Sequence, residues 1–235
     1  MAPPIAPRRT PKTVCVVDVS SPLGGAIVDR LLHLGYSVHA ASFSRGDSST
    51  AAWRESKRVR VFAADPLDYH SIAAAIRGCS GVFYTYDNES FYDLWHALAK
   101  TLSEKTAWAL AMDRGIDMIS VNAGLILAGA DLRSSPYLKG APEMYEGGVL
   151  VTAKLEFLVD AHICVFESAD AYGRYLCFNH TVCRPQDAVD FARLLSPTTP
   201  NPPPSAGLSV IQERIHSKKL TKLMFEFGAG LQAAE

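Results

Sequence analysis

The stretch TVCVVDV, residues 13–19, is a β-branched and apolar run with no helical period, and the segment directly after it, SSPLGGAIVDRLLHLG, switches to helical spacing. A strand without a polar face is buried on both sides, so it belongs at the centre of a parallel sheet covered by helices. In the following segment Ser20 or Ser21 is available as N-cap, Leu23, Ile27, Leu31 and Leu34 recur at helical spacing, and Gly35 is a stop. The alternation continues. YSVHAASF reads as a second strand, RVRVFAAD (58–65) as a third, DYHSIAAAIRGC as a helix starting near Asp68, and SGVFYTYD (80–87) as a fourth strand. Parallel neighbours need a crossover to return the chain, so this order specifies an α/β, doubly wound parallel sheet.

One connection breaks the rhythm. Between the fourth strand, ending near Tyr86, and the helical stretch LWHALAKTLSEKTAWALAMDRG (94–115) lie only DNESFYD and its neighbours, too few residues for a helix, a strand and a return loop. The long helix must then itself cross to a further buried strand, IDMISVNAG (116–124). The expected architecture is Rossmann-like with one strand fewer than usual. From residue 125 the pattern loosens into turn-rich DLRSSPYLKGAPEMYEGG, a helix KLEFLVDAHICVFES, a short strand GRYLCFNH and a helix PQDAVDFARLL. A polyproline-type spacer, SPTTPNPPPS, precedes LSVIQERIHSKKLTKLMFEF, which has strand or helix character. The expected division is a flexible tail over 1–12, a Rossmann domain over 13–130, and a small C-terminal substrate lobe over 131–235 with its Pro-rich spacer at 197–204.

The chain of 235 residues is 48% hydrophobic and 20% charged, the balance of a globular protein with a substantial core. A net charge of −1 gives no global field for nucleic acid or an acidic membrane, so a small-molecule substrate is the expected partner. Oligomeric state is left open by composition. The five cysteines lack C-x-x-C spacing and fall mostly in apolar runs, which reads as reduced and structural. No apolar run reaches the roughly 20 residues of a membrane helix, and MAPPIAPRRTPK has no apolar signal core, so a cytoplasmic protein is expected. The Pro- and Arg-rich opening is read as a tail, with a short organelle-targeting segment as the alternative. The histidines show no metal-ligand spacing with Cys or carboxylates, so no metal is expected.

In order and spacing, the first strand with its Gly-containing turn, AADPLD, GVFYTYD, the helix carrying Lys100, VNAG, DAH, GRYLC and the terminal SKKLTKLMFEF resemble the plant cinnamoyl-CoA reductase and dihydroflavonol reductase group of the extended short-chain dehydrogenases. The resemblance runs from Thr13 to Phe227. It implies NADP(H), or alternatively NAD, and reduction of a phenylpropanoid thioester or related carbonyl. The group's dinucleotide turn carries three glycines, for the tight turn, for approach to pyrophosphate and for helix packing. Asp18, Ser21 and Gly24 stand at those positions here, so only the last matches. The resemblance assigns pyrophosphate to Ser20, Ser21, Leu23 and Gly24, with affinity weakened by the Ser21 side chain and by the Asp18 carboxylate. For the 2′-phosphate the group's arginine is replaced by Phe43, leaving Arg45 either as its substitute or as a solvated loop residue. Asp65 falls where the group places an Asp near the adenine, or else it caps the DPLD turn. Asn122 falls near the nicotinamide end by resemblance, or is a strand-end turn residue.

In such reductases a Tyr and a Lys four apart share one helical face: Lys holds the nicotinamide ribose and lowers the phenol pKa, and the Tyr gives its proton to the substrate oxygen. Here Lys100 is kept and His96 occupies the tyrosine position. An imidazole, with a reference pKa of about 6.5, is an acid in principle, but an ammonium one turn away disfavours its cation and leaves a weak N–H donor. The plainer alternative makes His96 a helix residue without chemistry. The serine that steadies the substrate oxygen belongs in the shortened connection, where Ser90 is the only serine. The expectation is a reductase with impaired catalysis, or alternatively a nucleotide-binding or regulatory module without turnover.

Overall fold

The computed structural model describes residues 12–43, 48–53, 55–65, 68–85, 94–128, 132, 138, 140–195 and 209–232, without the side chains of 48, 49, 94–99 and 228–232. The chain forms two compact units, one of residues 1–87 with 162–168 and 225–235, the other of residues 88–161 with 169–224.

In the first unit β1 (Thr13–Val17), β2 (Ser37–Ser42), β3 (Val59–Ala63) and β4 (Gly81–Tyr84) make one parallel sheet in the order β3-β2-β1-β4. The apolar run at 14–17 is accounted for by this order: β1 is flanked on both edges, and Val14, Cys15, Val16 and Val17 are buried. Helix α1 (Pro22–His33) is capped by Ser21, has proline in its first turn and buries Ile27, Val28 and Leu31. Each such side chain contributes about 2 kcal/mol on burial. Gly35 follows at φ 88°, the left-handed conformation that ends a helix cheaply only as glycine. Helix α2 (Tyr69–Ile76) starts where expected, Asp68 accepting from the His70 N–H. Its Ile72 and Ala75 meet Cys15, Val17, Ala41 and Ala64 on one sheet face. Between β2 and β3 a 3₁₀ turn (Ser48–Trp53) replaces a helix, tied to α1 by the Trp53 indole donating to Asp29 at 2.6 Å. On β4, Phe83 stacks obliquely on Phe166, and a Cβ at Gly81 would lie 2.2 Å from the Phe166 ring.

The second unit holds α3 (Leu94–Arg114), β5 (Ile119–Ala123), β6 (Leu125–Leu127), α4 (Ala141–Glu146), β7 (Val151–Lys154), the start of α5 (Leu155–Glu167), β8 (Gly173–Cys177), β9 (His180–Thr181), α6 (Pro185–Leu195) and most of α7 (Lys218–Gln232). β5 and β8 form a parallel pair, and β6-β7-β9 a small mixed sheet. Tyr145, Leu150 and Val182 make a core under α4 and α6. The Lys219 ammonium sits 4.0 Å from the ring centroids of both Tyr172 and Tyr175, fixing the start of α7 to β8.

One expectation is corrected. The strand after α3 was expected to be a buried addition to the main sheet, whereas β5 pairs with β8 and is half-buried to exposed. Its alternation of Ile119 and Val121 with Ser120 and Asn122 is that of a strand with one wet face. The sheet of β6, β7 and β9 was not anticipated, because runs of two to four residues carry no readable period.

Candidate functional site

The turn from β1 into α1 is built from its own polar groups. Asp18 has φ 65° and is the one non-glycine residue with positive φ among the described residues. The backbone therefore keeps the left-handed shape a glycine would supply, which a short polar side chain tolerates at a cost of about 1 kcal/mol. The Asp18 and Val19 N–H groups both donate to the Ala41 carbonyl, at 3.0 and 3.1 Å, tying the turn to the end of β2. Ser21 Oγ donates to the Asp18 carbonyl at 2.9 Å and accepts the Gly24 N–H at 3.1 Å. Thr85, 4% exposed at the end of β4, puts its hydroxyl 3.0 Å from the Val17 carbonyl and 3.3 Å from Ser21 Oγ. A Cβ at Gly24 would stand 2.1 Å from the Asp18 carbonyl oxygen, so the third glycine position is required by close approach of helix and turn. Ser20 is exposed and donates to the Asp18 carboxylate, and Leu23 is half-buried on the first turn of α1. Ser20, Ser21, Leu23 and Gly24 all lie in this turn and the first turn of α1. Thr85 was missed; its role depends on β4 lying beside β1, and only the polar residue inside the apolar-aromatic run FYTY hinted at it.

In the second unit a different cluster centres on α3. Lys100 is half-buried, and Glu104 and Trp108 follow on the same helical face at successive i+4 steps. Glu104 accepts from Arg174 Nε of β8 at 2.6 Å and from the Trp108 indole at 3.2 Å. The Arg174 hydrogen bond, aided by Trp108 and Ser120 against an opposing burial effect, holds the Glu104 carboxyl below the usual carboxylate range. Arg174 also lies over the Trp108 ring, 5.7 Å from its centroid. Asn122, exposed on β5, points its amide at Ser120 Oγ, 3.5 Å away. This knot, unforeseen from the sequence, fastens the Lys100 helix to the β5–β8 ladder.

The other expected residues are placed as follows. Asp65 is exposed, its N–H donates to Ser71 Oγ at 2.9 Å and its carbonyl accepts the Asp68 N–H at 2.9 Å, the bonds of a turn leading into α2. Arg45 and the side chain of His96 lie outside the described residues. A groove of about 530 Å³ in the second unit is lined by Phe157, Phe178, His180, Thr181, Arg184 and Glu213, among others, and by none of the residues expected from the sequence. Among the described residues no three His, Cys, Asp or Glu side chains group to hold a metal ion, and no helix is long and apolar enough to cross a membrane.

No family model matches the chain. It is 23% identical over 293 residues to cinnamoyl-CoA reductase 1 of Petunia hybrida, covering 92% of this chain and 88% of the relative. It is 24% identical over 295 residues to tetraketide alpha-pyrone reductase 1 of Arabidopsis thaliana, covering 91% and 90%. It is also 23% identical over 313 residues to dihydroflavonol 4-reductase of Arabidopsis thaliana, covering 94% of this chain and 80% of the relative. Among solved structures, vestitone reductase from alfalfa superposes with a TM-score of 0.66 at 20% identity, over 90% of this chain and 92% of that one. A yeast methylglyoxal/isovaleraldehyde reductase complexed with NADPH superposes at 0.58 and 15% identity, over 90% and 92%. These likenesses identify the fold as a Rossmann-type α/β fold. The matched span of 293 positions exceeds the 235 residues of the chain, so inside the match the petunia reductase carries residues that this chain lacks.

Proposed function

We propose that this chain is an NADP(H)-binding member of the cinnamoyl-CoA and dihydroflavonol reductase type, acting on a phenylpropanoid thioester or related small carbonyl compound in the plant cytoplasm, with impaired catalysis. The observation that carries the reading is the β1–α1 turn. It keeps the left-handed conformation at Asp18 and the glycine-only contact at Gly24 that a dinucleotide turn needs, despite two of the three glycine positions being changed. The fold and the near full-length match to reductases support it.

The residues present fit the group in backbone shape. Ser20, Ser21, Leu23 and Gly24 would hold the pyrophosphate at the start of α1, Arg45 the 2′-phosphate and Asp65 the adenosine side. Lys100 and Asn122 would hold the nicotinamide ribose end. When bound, the cofactor supplies a hydride. Lys100 would orient the ribose, and His96 would take the part of the phenol as a weaker proton donor at neutral pH. We assign nucleotide binding to residues 13–130 and substrate selection to residues 131–235.

A second reading, a regulatory module that binds nucleotide without turnover, is favoured by one observation: residues inside the match with the relatives are absent here, and the sequence places the loss where a substrate-steadying serine belongs. The two separate by NADPH oxidation with a panel of hydroxycinnamoyl thioesters. Slow turnover that rises in His96→Tyr and vanishes in Lys100→Ala supports the reductase. Saturable NADPH binding with no turnover by wild type or His96→Tyr supports the module.

A further inference from the structure

Counting donors at the β1–α1 turn leads to a role for Asp18 that goes past its unusual backbone. An anion at a helix start is bound by free N–H groups and by the positive end of the helix dipole. Here Pro22 has no N–H, the Gly24 N–H is taken by Ser21 Oγ, and the Asp18 and Val19 N–H groups both go to the Ala41 carbonyl. The N–H groups of Ser20 and Leu23 and the Ser20 hydroxyl are what remain for a ligand. The hydroxyl is donated to the Asp18 carboxylate. Among the described residues no Lys, Arg or His pairs with that carboxylate.

We infer that Asp18 is a built-in competitor for the dinucleotide's pyrophosphate: its carboxylate occupies the Ser20 hydroxyl and sets a like charge at the turn, on a backbone already shaped to receive the ligand. The inference rests on the turn being a dinucleotide cradle. Two effects are separable at this position. The φ of 65° strains any non-glycine residue, and the negative charge repels a dianion. Asp18→Asn keeps a short side chain that tolerates the left-handed conformation and removes only the charge; Asp18→Gly removes both. A unit charge a few ångströms from another in a partly solvated site changes binding by on the order of tenfold or more.

The test is NADPH fluorescence titration of wild type, Asp18→Asn and Asp18→Gly at low and raised ionic strength, with circular dichroism and thermal midpoints to establish that all three are folded. The expected result is a dissociation constant about tenfold lower in both variants, with the gap to wild type narrowing as salt screens the carboxylate. Equal saturable binding by all three overturns the inference and leaves the cradle intact. Tightening in Asp18→Gly but not in Asp18→Asn also overturns it, because strain rather than charge would then set affinity. No saturable binding by any folded variant overturns the cradle and the inference with it.

Discussion

At the scale of single residues, two positions in one turn behave oppositely. Gly24 is a glycine by necessity, since a Cβ would sit 2.1 Å from the Asp18 carbonyl, against backbone that has no rotamer by which to retreat. Gly24→Ala is expected to destabilise the protein by about 2 kcal/mol or more through forced displacement of α1, measured as a drop in the urea unfolding midpoint. An unchanged midpoint would mean that the helix and turn are not packed as described. Asp18 is a non-glycine where glycine geometry persists. That persistence was not legible in the sequence, which showed only that a glycine position had been replaced; the φ depends on the Ala41 carbonyl of β2 receiving two consecutive N–H groups of the turn. Thr85 escaped notice for the same reason: a hydroxyl bonding across 68 residues of chain leaves little local trace.

Among the elements, those with local stop and start signals were readable. The Ser21 cap, the Asp68 cap and α6 with Asp187 accepting from the Arg184 N–H at 3.0 Å all follow from short-range hydrogen bonding. Strand partnership is not local, and so β5 was expected in the main sheet whereas its ladder is with β8. What fastens α3 to that ladder is Glu104 with Arg174, Trp108 and Ser120. Arg174 is 58% exposed at its side chain, so the pair contributes only about 0.5–1 kcal/mol. Because the folded state lowers the Glu104 pKa, its contribution is present above the unfolded value of 4.5 and is lost as pH falls below it. Glu104→Gln is therefore expected to unfold at lower urea than wild type at neutral pH, with the difference shrinking below about pH 4. A difference that stays constant with pH would exclude the carboxylate as the fastening group.

For the whole molecule, the alternation of strands and helices in the first 85 residues was enough to specify a doubly wound fold, because parallel strands admit few other connections. The thiols report on its integrity. Burial pushes Cys15 and Cys177 up to about 12 and Cys164 up to about 11, all above the ordinary value of 9.0. The folded state favours the neutral thiols, so their contribution is complete below pH 9 and is lost progressively as pH rises towards 12. Native labelling by a thiol reagent at neutral pH is expected to spare these three and to reach them only on unfolding; rapid labelling of all three in the folded protein would contradict the packing. The proposed function stands on a β1–α1 turn that keeps the backbone shape of a nucleotide turn. Its most direct test is titration of the folded wild-type chain with NADPH, followed by the change in nucleotide fluorescence and by thermal stabilisation. Weak but saturable binding with a matching rise in melting temperature is expected, and a linear, non-saturating signal with no rise would contradict the proposed function.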